Sequence, residues 1–420
     1  MNVCIVASGD FFSDYGGGQV YVRNIVDELA RHSELSLTVI SFNANLQPSI
    51  KDYNGILVQV VNNETSLLDA FKTIQPDIVH ANGEKLISSR LCKRLNIPCI
   101  VTAHHGGLVC PAGTLLNTND EICNVPADYS YCLKCYLRTI PTGLFWYPLL
   151  KNCSQKHYCR IGELLEKLPS VPFLTPIGRT GQIVTTKLKD WKELAYNATH
   201  FIAPSNAIAE ALKRNGCPTD KITIIPHGIP QSQNIYHQTS NIKHINFYYV
   251  GRINYNKGIH ILLKAFTSIN NPSIELHLIG GAANKTEEHY EKKLKKTYRN
   301  DTRVFWHGKV PHEQLEKMTT DFHCLIHPAI YLEVFGLNIS EALAKHKYVI
   351  STLCGGAEMQ IHNKNEGTLV EANDDVALKN AIEQYINHPR QTFAKVYSID
   401  EHINQLMQVY AKQLQTNKKQ

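Results

Sequence analysis

The 420-residue chain is too long for one ordinary hydrophobic core and implies two domains of about 150–200 residues each. With 43% hydrophobic and 19% charged residues, 24 Gly and 18 Pro, it falls outside the mini-protein, collagen-like and wholly disordered classes. The charge of +6, from 43 Lys+Arg against 37 Asp+Glu, is mild, and the basic residues are scattered apart from Lys292 to Lys296 and the tail Lys418-Lys419; this argues against a nucleic-acid partner and suits an anionic ligand or a membrane surface.

In chain order, short apolar runs alternate with segments of helical period, the pattern of an α/β protein with parallel sheets. Strands are predicted at Val3 to Ala7, Leu37 to Ser41, Asp77 to Ala81, Cys99 to Ala103 and His200 to Ala203. A helix over Gln19 to Arg31 follows the run Gly16-Gly17-Gly18, with Val22, Ile25, Val26 and Leu29 on one face. The second half repeats the logic, with strands at Asn246 to Val250, Glu275 to Ile279, Val304 to His307, Cys324 to His327 and Tyr348 to Ser351, and helices that include Ile259 to Ile269 and Val334 to Ala344. The turn-rich stretch Pro226 to Pro230 and the polar Gln231 to Asn241 predict a hinge. The expected division is a Rossmann-like domain over 1–228 with an insertion at about 106–180, a linker over 229–242, a second Rossmann-like domain over 243–395, and a last helix over 396–420 that crosses back to the first domain. Without a signal-peptide core at its start, the chain is expected in the cytosol. Its nearest approach to a membrane span, Gly143 to Leu150, is too short and is broken by Pro148.

The chemistry concentrates in Glu333-Val334-Phe335-Gly336-Leu337-Asn338-Ile339-Ser340-Glu341, where a strand-end loop enters a helix. A helix beginning near Phe335 would point free N–H groups at a phosphate, with Glu333 beside that site and Glu341 about two turns on. Carboxylates in such a place suit sugar hydroxyls; alternatively, Glu333 caps the helix and Glu341 is solvated. Upstream, Gly251-Arg252-Ile253-Asn254-Tyr255-Asn256-Lys257-Gly258 joins a strand to a helix. Arg252 can grip phosphate oxygens with two parallel bonds and Lys257 adds a second cation. Gly355-Gly356-Ala357-Glu358 follows a later strand.

In this order the motifs resemble the retaining nucleotide-sugar glycosyltransferases of the GT-B fold, family 4. The resemblance also takes in Gly16-Gly17-Gly18-Gln19, Pro76-Asp77-Ile78-Val79-His80 and Thr102-Ala103-His104, and so runs through nearly the whole chain. It implies two Rossmann-like domains facing each other across a cleft, with the donor on the second and the acceptor on the first. By it, Arg252 and Lys257 hold the diphosphate, Glu333 the transferred sugar and Glu341 the ribose. The backbone of Phe335, Gly336, Leu337 and Asn338 completes the cradle, Gly16, Gly17 and Gly18 close on the donor, and His104 contacts the sugar. Fixed cations beside the departing diphosphate stabilise the transition state, so no metal or other cofactor is required for transfer. The expected partners are a nucleotide-diphosphate sugar, UDP-linked before GDP-linked, and a glycan or lipid-linked acceptor in polysaccharide or lipopolysaccharide assembly. A catalytically silent partner subunit of the same fold is the alternative. A Rossmann oxidoreductase fails because Gly9 to Gly18 lacks the tight Gly-x-Gly-x-x-Gly turn.

After His104-His105 comes a cysteine-rich segment: Cys110, Cys123, then Cys132-Leu133-Lys134-Cys135, with Cys153, His157 and Cys159 beyond. The first four have spacings that a structural zinc accepts and that would pin a segment with few apolar residues of its own; an iron–sulfur cluster and plain buried thiols are the alternatives. The segment is expected to shape acceptor binding. Leu144-Phe145-Trp146-Tyr147 is either a contact with the inner face of a membrane or part of the insertion's own core.

Overall fold

The computed structural model describes residues 1–12, 17–140, 142–151, 157–158, 160, 164, 175–230 and 244–417. Gly16, the linker residues 231–242, Cys153 and Cys159 lie outside them. The chain divides into two compact units, one of Met1–Asn119, Cys123–Pro226 and His402–Gln420, the other of Asp120–Ile122 and His227–Glu401.

The first unit runs β1 (Asn2–Ser8), α1 (Gly17–Leu29), β2 (Ser36–Phe42), β3 (Ser49–Tyr53), β4 (Ile56–Val61), α2 (Glu64–Ile74), β5 (Ile78–Ala81), α3 (Lys85–Leu95), β6 (Cys99–Thr102), α4 (Tyr129–Arg138), α5 (Gly143–Leu150), α6 (Thr175–Asn197), β7 (His200–Ala203), α7 (Asn206–Arg214) and β8 (Ile222–Ile224). Among the described residues eight strands form one sheet in the order β3-β4-β2-β1-β5-β6-β7-β8. Inner strands such as β1 and β6 are buried on both faces, which is why they read as continuous apolar runs. β3 departs from the expected all-parallel pattern. It pairs antiparallel with β4 at the sheet edge, and its polar sequence SIKDY stays largely exposed, so it carries no apolar signal. α1 buries Tyr21, Val22, Ile25, Val26 and Leu29, while α2 opens on a capping box between Asn63 and Ser66.

The second unit runs β9 (Ile245–Val250), α8 (Ile259–Thr267), β10 (Ile274–Ile279), α9 (Lys285–Thr297), β11 (Val304–Gly308), α10 (His312–Thr319), β12 (Cys324–His327), α11 (Leu337–Ala344), β13 (Tyr348–Thr352), β14 (Thr368–Val370), α12 (Asp375–Asn387) and the start of α13 (Ile399–Asn417). Its described strands form a parallel sheet in the order β11-β10-β9-β12-β13-β14. The order reverses between β9 and β12, so a crevice opens beyond their carboxyl ends, where open α/β sheets bind ligands. Part of the expected hinge is structured: Ile229 forms a β-bridge with Ser398.

From His402 onward, α13 belongs to the first unit and is held there by neutral polar contacts. His80 Nδ1 lies 2.7 Å from the Tyr410 hydroxyl and Nε2 2.7 Å from Thr102 Oγ1. His402 Nδ1–H donates to the Pro226 carbonyl at 2.7 Å, so its Nε2 accepts from the Tyr21 hydroxyl at 2.9 Å.

The cysteine-rich insertion is more ordered than its composition suggests. α4 and α5 pack with α6 around Leu133, Leu137, Tyr158 and Ile177, joined by Trp146 and Tyr147. This small apolar cluster gives the insertion a core of its own, the expected alternative to a membrane contact for Trp146 and Tyr147. On α5, Phe145 and Leu149 point outward, 75% and 69% exposed, whereas Trp146 turns inward.

Candidate functional site

The candidate site is assembled from the turn after β9 and the loop after β12, both at the strand-order reversal of the second sheet. After β9, the Asn254 side chain accepts from the Lys257 amide at 3.1 Å and closes a short turn over Tyr255–Lys257. Gly258 then adopts a left-handed conformation (φ +69°), and a Cβ there would stand 1.8 Å from the Pro328 carbonyl oxygen. Only glycine lets α8 start this close to the end of β12, which brings Lys257 beside the β12 loop.

Lys257 Nζ forms an ion pair with Glu333 Oε2, and the two side chains are only 17% and 12% exposed. The Tyr331 hydroxyl donates to the same oxygen at 2.9 Å, and the Lys257 ammonium lies 5.2 Å from the centre of the Tyr331 ring. His327 Nε2 is 3.5 Å from Oε2. Burial by itself would raise the Glu333 carboxyl, but the Lys257 charge and the His327 ring overcome it and hold the group well below the usual carboxylate range. For Lys257, burial pulls downward and the Glu333 charge wins in the opposite direction. The site therefore holds a mutually neutralising pair. Of the two expectations for Glu333, the helix cap is not met: the residue before α11 is Gly336, with no side-chain cap.

The helix begins later than predicted. Glu333 is bridged to Gly355, its amide donating to the Cys354 carbonyl at 2.7 Å, so residues 333–335 run beside that segment. Gly336, at φ +83°, turns the chain, and α11 starts at Leu337 in place of Val334. Gln360 holds the turn from behind: its amide donates to the Phe335 carbonyl at 2.5 Å while its own oxygen accepts from Ser340 Oγ at 2.6 Å. The Asn338 side chain points back to the sheet and donates to the Val250 carbonyl at 3.0 Å. Glu341 sits half-buried on α11.

The remaining predicted residues are spread more widely. Arg252 is 62% exposed and 3.8 Å from Glu287, on α9, with no contact to Glu333 given by the described geometry. In the first unit, Gly17 and Gly18 open α1, and His104 Nε2 lies 2.7 Å from Asn82 Oδ1 with its ring against Tyr21. Cys132 and Cys135, one turn apart, are buried on α4. Burial, aided by neighbouring thiols, pushes Cys132 up to about 12 and Cys135 up to about 11; Cys110 acts on both and Cys123 on Cys135. The Cys110 thiol is also raised by burial, against the pull of backbone amides of Leu115, Gly113, Ala112 and Thr114 that bond to its sulfur. As they stand, no group of three or more His, Cys, Asp or Glu among the described residues could hold a metal ion.

Sequence reasoning missed His327, Tyr331, Gln360 and Asn82. The first two lie within six residues before Glu333, on the strand and loop that present it, and that adjacency was their signal. Gln360 and Asn82 carried none, because their partners are remote in sequence.

Residues 232–398 match the family described as Glycosyl transferases group 1. Over that span the second unit is similar to the group 1 glycosyl transferases. The chain is 26% identical over 219 residues to the phosphatidylinositol N-acetylglucosaminyltransferase gpi3 subunit of Schizosaccharomyces pombe, covering 50% of this chain and 46% of that one. It is 24% identical to an uncharacterized glycosyltransferase of Methanocaldococcus jannaschii, over 63% of this chain and 73% of that one. A match to the O-antigen chain mannosyltransferase C of Escherichia coli, at 24% identity, covers 47% and 56%. The chain thus spans about half the length of the yeast and Escherichia coli relatives. Over the whole fold it is similar to Anabaena HepE in complex with UDP and glucose (TM-score 0.65, 16% identity, 97% and 99% covered) and to sucrose-phosphate synthase of Thermosynechococcus elongatus (TM-score 0.68, 19% identity, 98% of each chain). The fold is GT-B, and the match to the group 1 glycosyl transferases lies in its second half.

Proposed function

We propose that the protein is a retaining hexosyltransferase that moves a sugar from a nucleotide-diphosphate donor to a hydroxyl of a glycan or lipid-linked acceptor. The observation that carries this reading is the Glu333 cluster: the donors among the described residues converge on Oε2, and the carboxylate stays ionised at the carboxyl end of a group 1 domain's sheet. An ionised carboxylate accepts from sugar hydroxyls, and the bonds from Lys257 and Tyr331 go to Oε2. Lys257 has three N–H bonds and can turn from Glu333 towards a diphosphate. Arg252, largely exposed, is the second cation. As the bond from anomeric carbon to phosphate breaks, negative charge grows on the diphosphate, and both cations stabilise it more than they stabilise the ground state. Glu341 is assigned to the ribose.

A UDP-sugar is favoured as donor because the similar HepE structures hold UDP or UDP-glucose; GDP-linked mannose-type donors are the second choice, in line with the mannosyl- and rhamnosyltransferases among the relatives. Thermal shifts with UDP, GDP, ADP and dTDP test the reading. A diphosphate at about 100 times its dissociation constant adds about 2.7 kcal/mol, a shift that Arg252→Ala should shrink. Arg252 is the residue to change, because removing Lys257 would strand the Glu333 charge and confound stability with binding. If no diphosphate moves the transition, the donor site is absent and the silent-subunit reading replaces this one.

Two further features complete the proposal. Cys110, Cys123, Cys132 and Cys135 are assigned to a structural zinc on their spacing alone; as placed they do not form a metal-binding group and burial disfavours the Cys110, Cys132 and Cys135 thiolates, so the ion must draw the four sulfurs together and deprotonate them. Metal analysis should find about one zinc per chain, lost with Cys132→Ser and Cys135→Ser together; a wild-type protein free of metal, or one holding iron and sulfide, removes the zinc. No helix among the described residues is long and apolar enough to cross a membrane. Peripheral contact with anionic lipid through Phe145 and Leu149 is supported by their exposure, and flotation with vesicles that is unchanged by Phe145→Ser with Leu149→Ser would eliminate it.

A further inference from the structure

The side chains of His327 and Asn338 form a connected device behind Glu333. His327 ends β12 and is 1% exposed. Asn338, on the first turn of α11, reaches back past it. Its Nδ2 donates to the Val250 carbonyl at 3.0 Å and lies 3.1 Å from His327 Nδ1, while its Oδ1 accepts from the Ile339 amide at 3.1 Å. These three contacts fix the amide orientation. Flipped, the side chain would set oxygen against the Val250 oxygen and NH2 against the Ile339 N–H.

The consequence passes to the imidazole. An amide nitrogen can only donate, so His327 Nδ1 must accept, and in the neutral ring the proton then sits on Nε2. Nε2 is buried and has no hydrogen-bond partner among the described residues; Glu333 Oε2 lies 3.5 Å away, at the outer limit of a bond. Oε2 already accepts from Lys257 and Tyr331, which occupy its two lone pairs. A buried N–H donor is therefore held in reserve beside the carboxylate.

We infer that Asn338 and His327 are positioning residues for Glu333: Asn338 locks the ring as the Nε2–H tautomer, and the ring serves as a neutral donor that secures the carboxylate when Lys257 turns towards a diphosphate. This rests on the reading of Glu333 as a donor-site group. A neutral donor suits the place, because Lys257, Glu333 and Tyr331 are the titratable groups facing the ring, and a second cation there would compete with Lys257 for the same oxygen. Burial lowers the ring's basicity, with Glu333 opposing in part, and protonation at Nδ1 would break the Asn338 bond.

The test has two independent arms. Nitrogen-15 NMR of histidine-labelled, ligand-free protein should show His327 neutral, protonated on Nε2, at neutral pH. In Asn338→Asp a carboxylate can only accept, so the ring should carry its proton on Nδ1 or become charged, and an ionisation should enter the pH profile of transfer that the wild type lacks. In the second arm, His327→Gln keeps an N–H near the Nε2 position and should retain kcat/KM within about threefold. His327→Asn, whose amide falls short, should lose about ten- to a hundredfold, the factor for a lost hydrogen bond to a charged group. A wild-type Nδ1–H tautomer or charged ring overturns the lock. Equal activity of the Gln and Asn variants overturns the positioning role. Absence of transfer in the wild type would overturn the proposed activity instead, and the lock would still be decided by NMR, with His327→Gln as the folded control should Asn338→Asp not fold.

Discussion

Two buried clusters use the same residue types to opposite ends. In the first unit, His80, Thr102, Tyr410, Tyr21 and His402 form a neutral set in which all four imidazole nitrogens have partners at 2.7–2.9 Å. In the second, His327, Tyr331, Lys257 and Glu333 form a charged set in which Lys257 and Tyr331 occupy one carboxylate oxygen and the nearby imidazole Nε2 is left without a partner. A fully satisfied polar network gains nothing from a ligand and serves to dock α13. A network with surplus donors keeps capacity for something to bind, and the cost of leaving a buried donor unpaired is about 1–3 kcal/mol, which ligand binding can recover.

The sharpest way to break this comparison is Glu333→Gln. If the charged cluster is the working one, the variant should be less stable, because the buried Lys257 charge loses its counter-ion, yet still folded by circular dichroism, while its transfer rate measured well below the melting temperature drops about 10²–10³-fold, the range for losing one charge-stabilising group; a rate within about twofold of wild type removes Glu333 from the site.

The second experiment separates the clusters by pH. Burial lowers His80 to about 3, with the charges of His402 and Lys85 acting the same way, and lowers His402 to about 4. The unfolded values lie near about 6.5, so between about pH 6 and pH 4 the unfolded chain binds two protons that the folded chain refuses. The contribution of these rings is thus whole above about pH 6.5 and declines as pH falls, by roughly 2.7 kcal/mol per unit for the two together. Glu333 acts in the same direction but in a lower window: its depressed folded value makes its contribution whole above about pH 4.3, and loss begins only below that. His105 and His200, which burial also lowers to about 4, act in the same window, so urea midpoints from pH 7 to 4 should fall in both proteins but less steeply in a His80→Gln, His402→Gln variant than in the wild type. Equal slopes in both would show that the network does not hold its rings neutral.

Much of this was legible in the sequence, and the reasons are local. Strands buried on both faces announce themselves as apolar runs, so β1, β7 and β12 were found within a residue or two, and the 3.6-residue period marked α1, α8 and α13. Gly-Arg-x-x-x-x-Lys-Gly and the two glutamates seven residues apart located both loops of the candidate site. What sequence order could not supply was pairing. The polar edge strand β3 exists only because β4 lies beside it. The start of α11 was displaced because residue 333 bridges to residue 355, twenty-two positions away, and a helix cannot begin while its backbone is committed elsewhere. Lys257 and Glu333, both read as independent ligands for a donor, are in fact partners, since Gly258 brings their loops together. Residue types set the chemistry that each position could perform; the tertiary structure alone decided which oxygen receives which donor, because hydrogen bonds and ion pairs depend on distances that the chain closes only when both sheet ends meet.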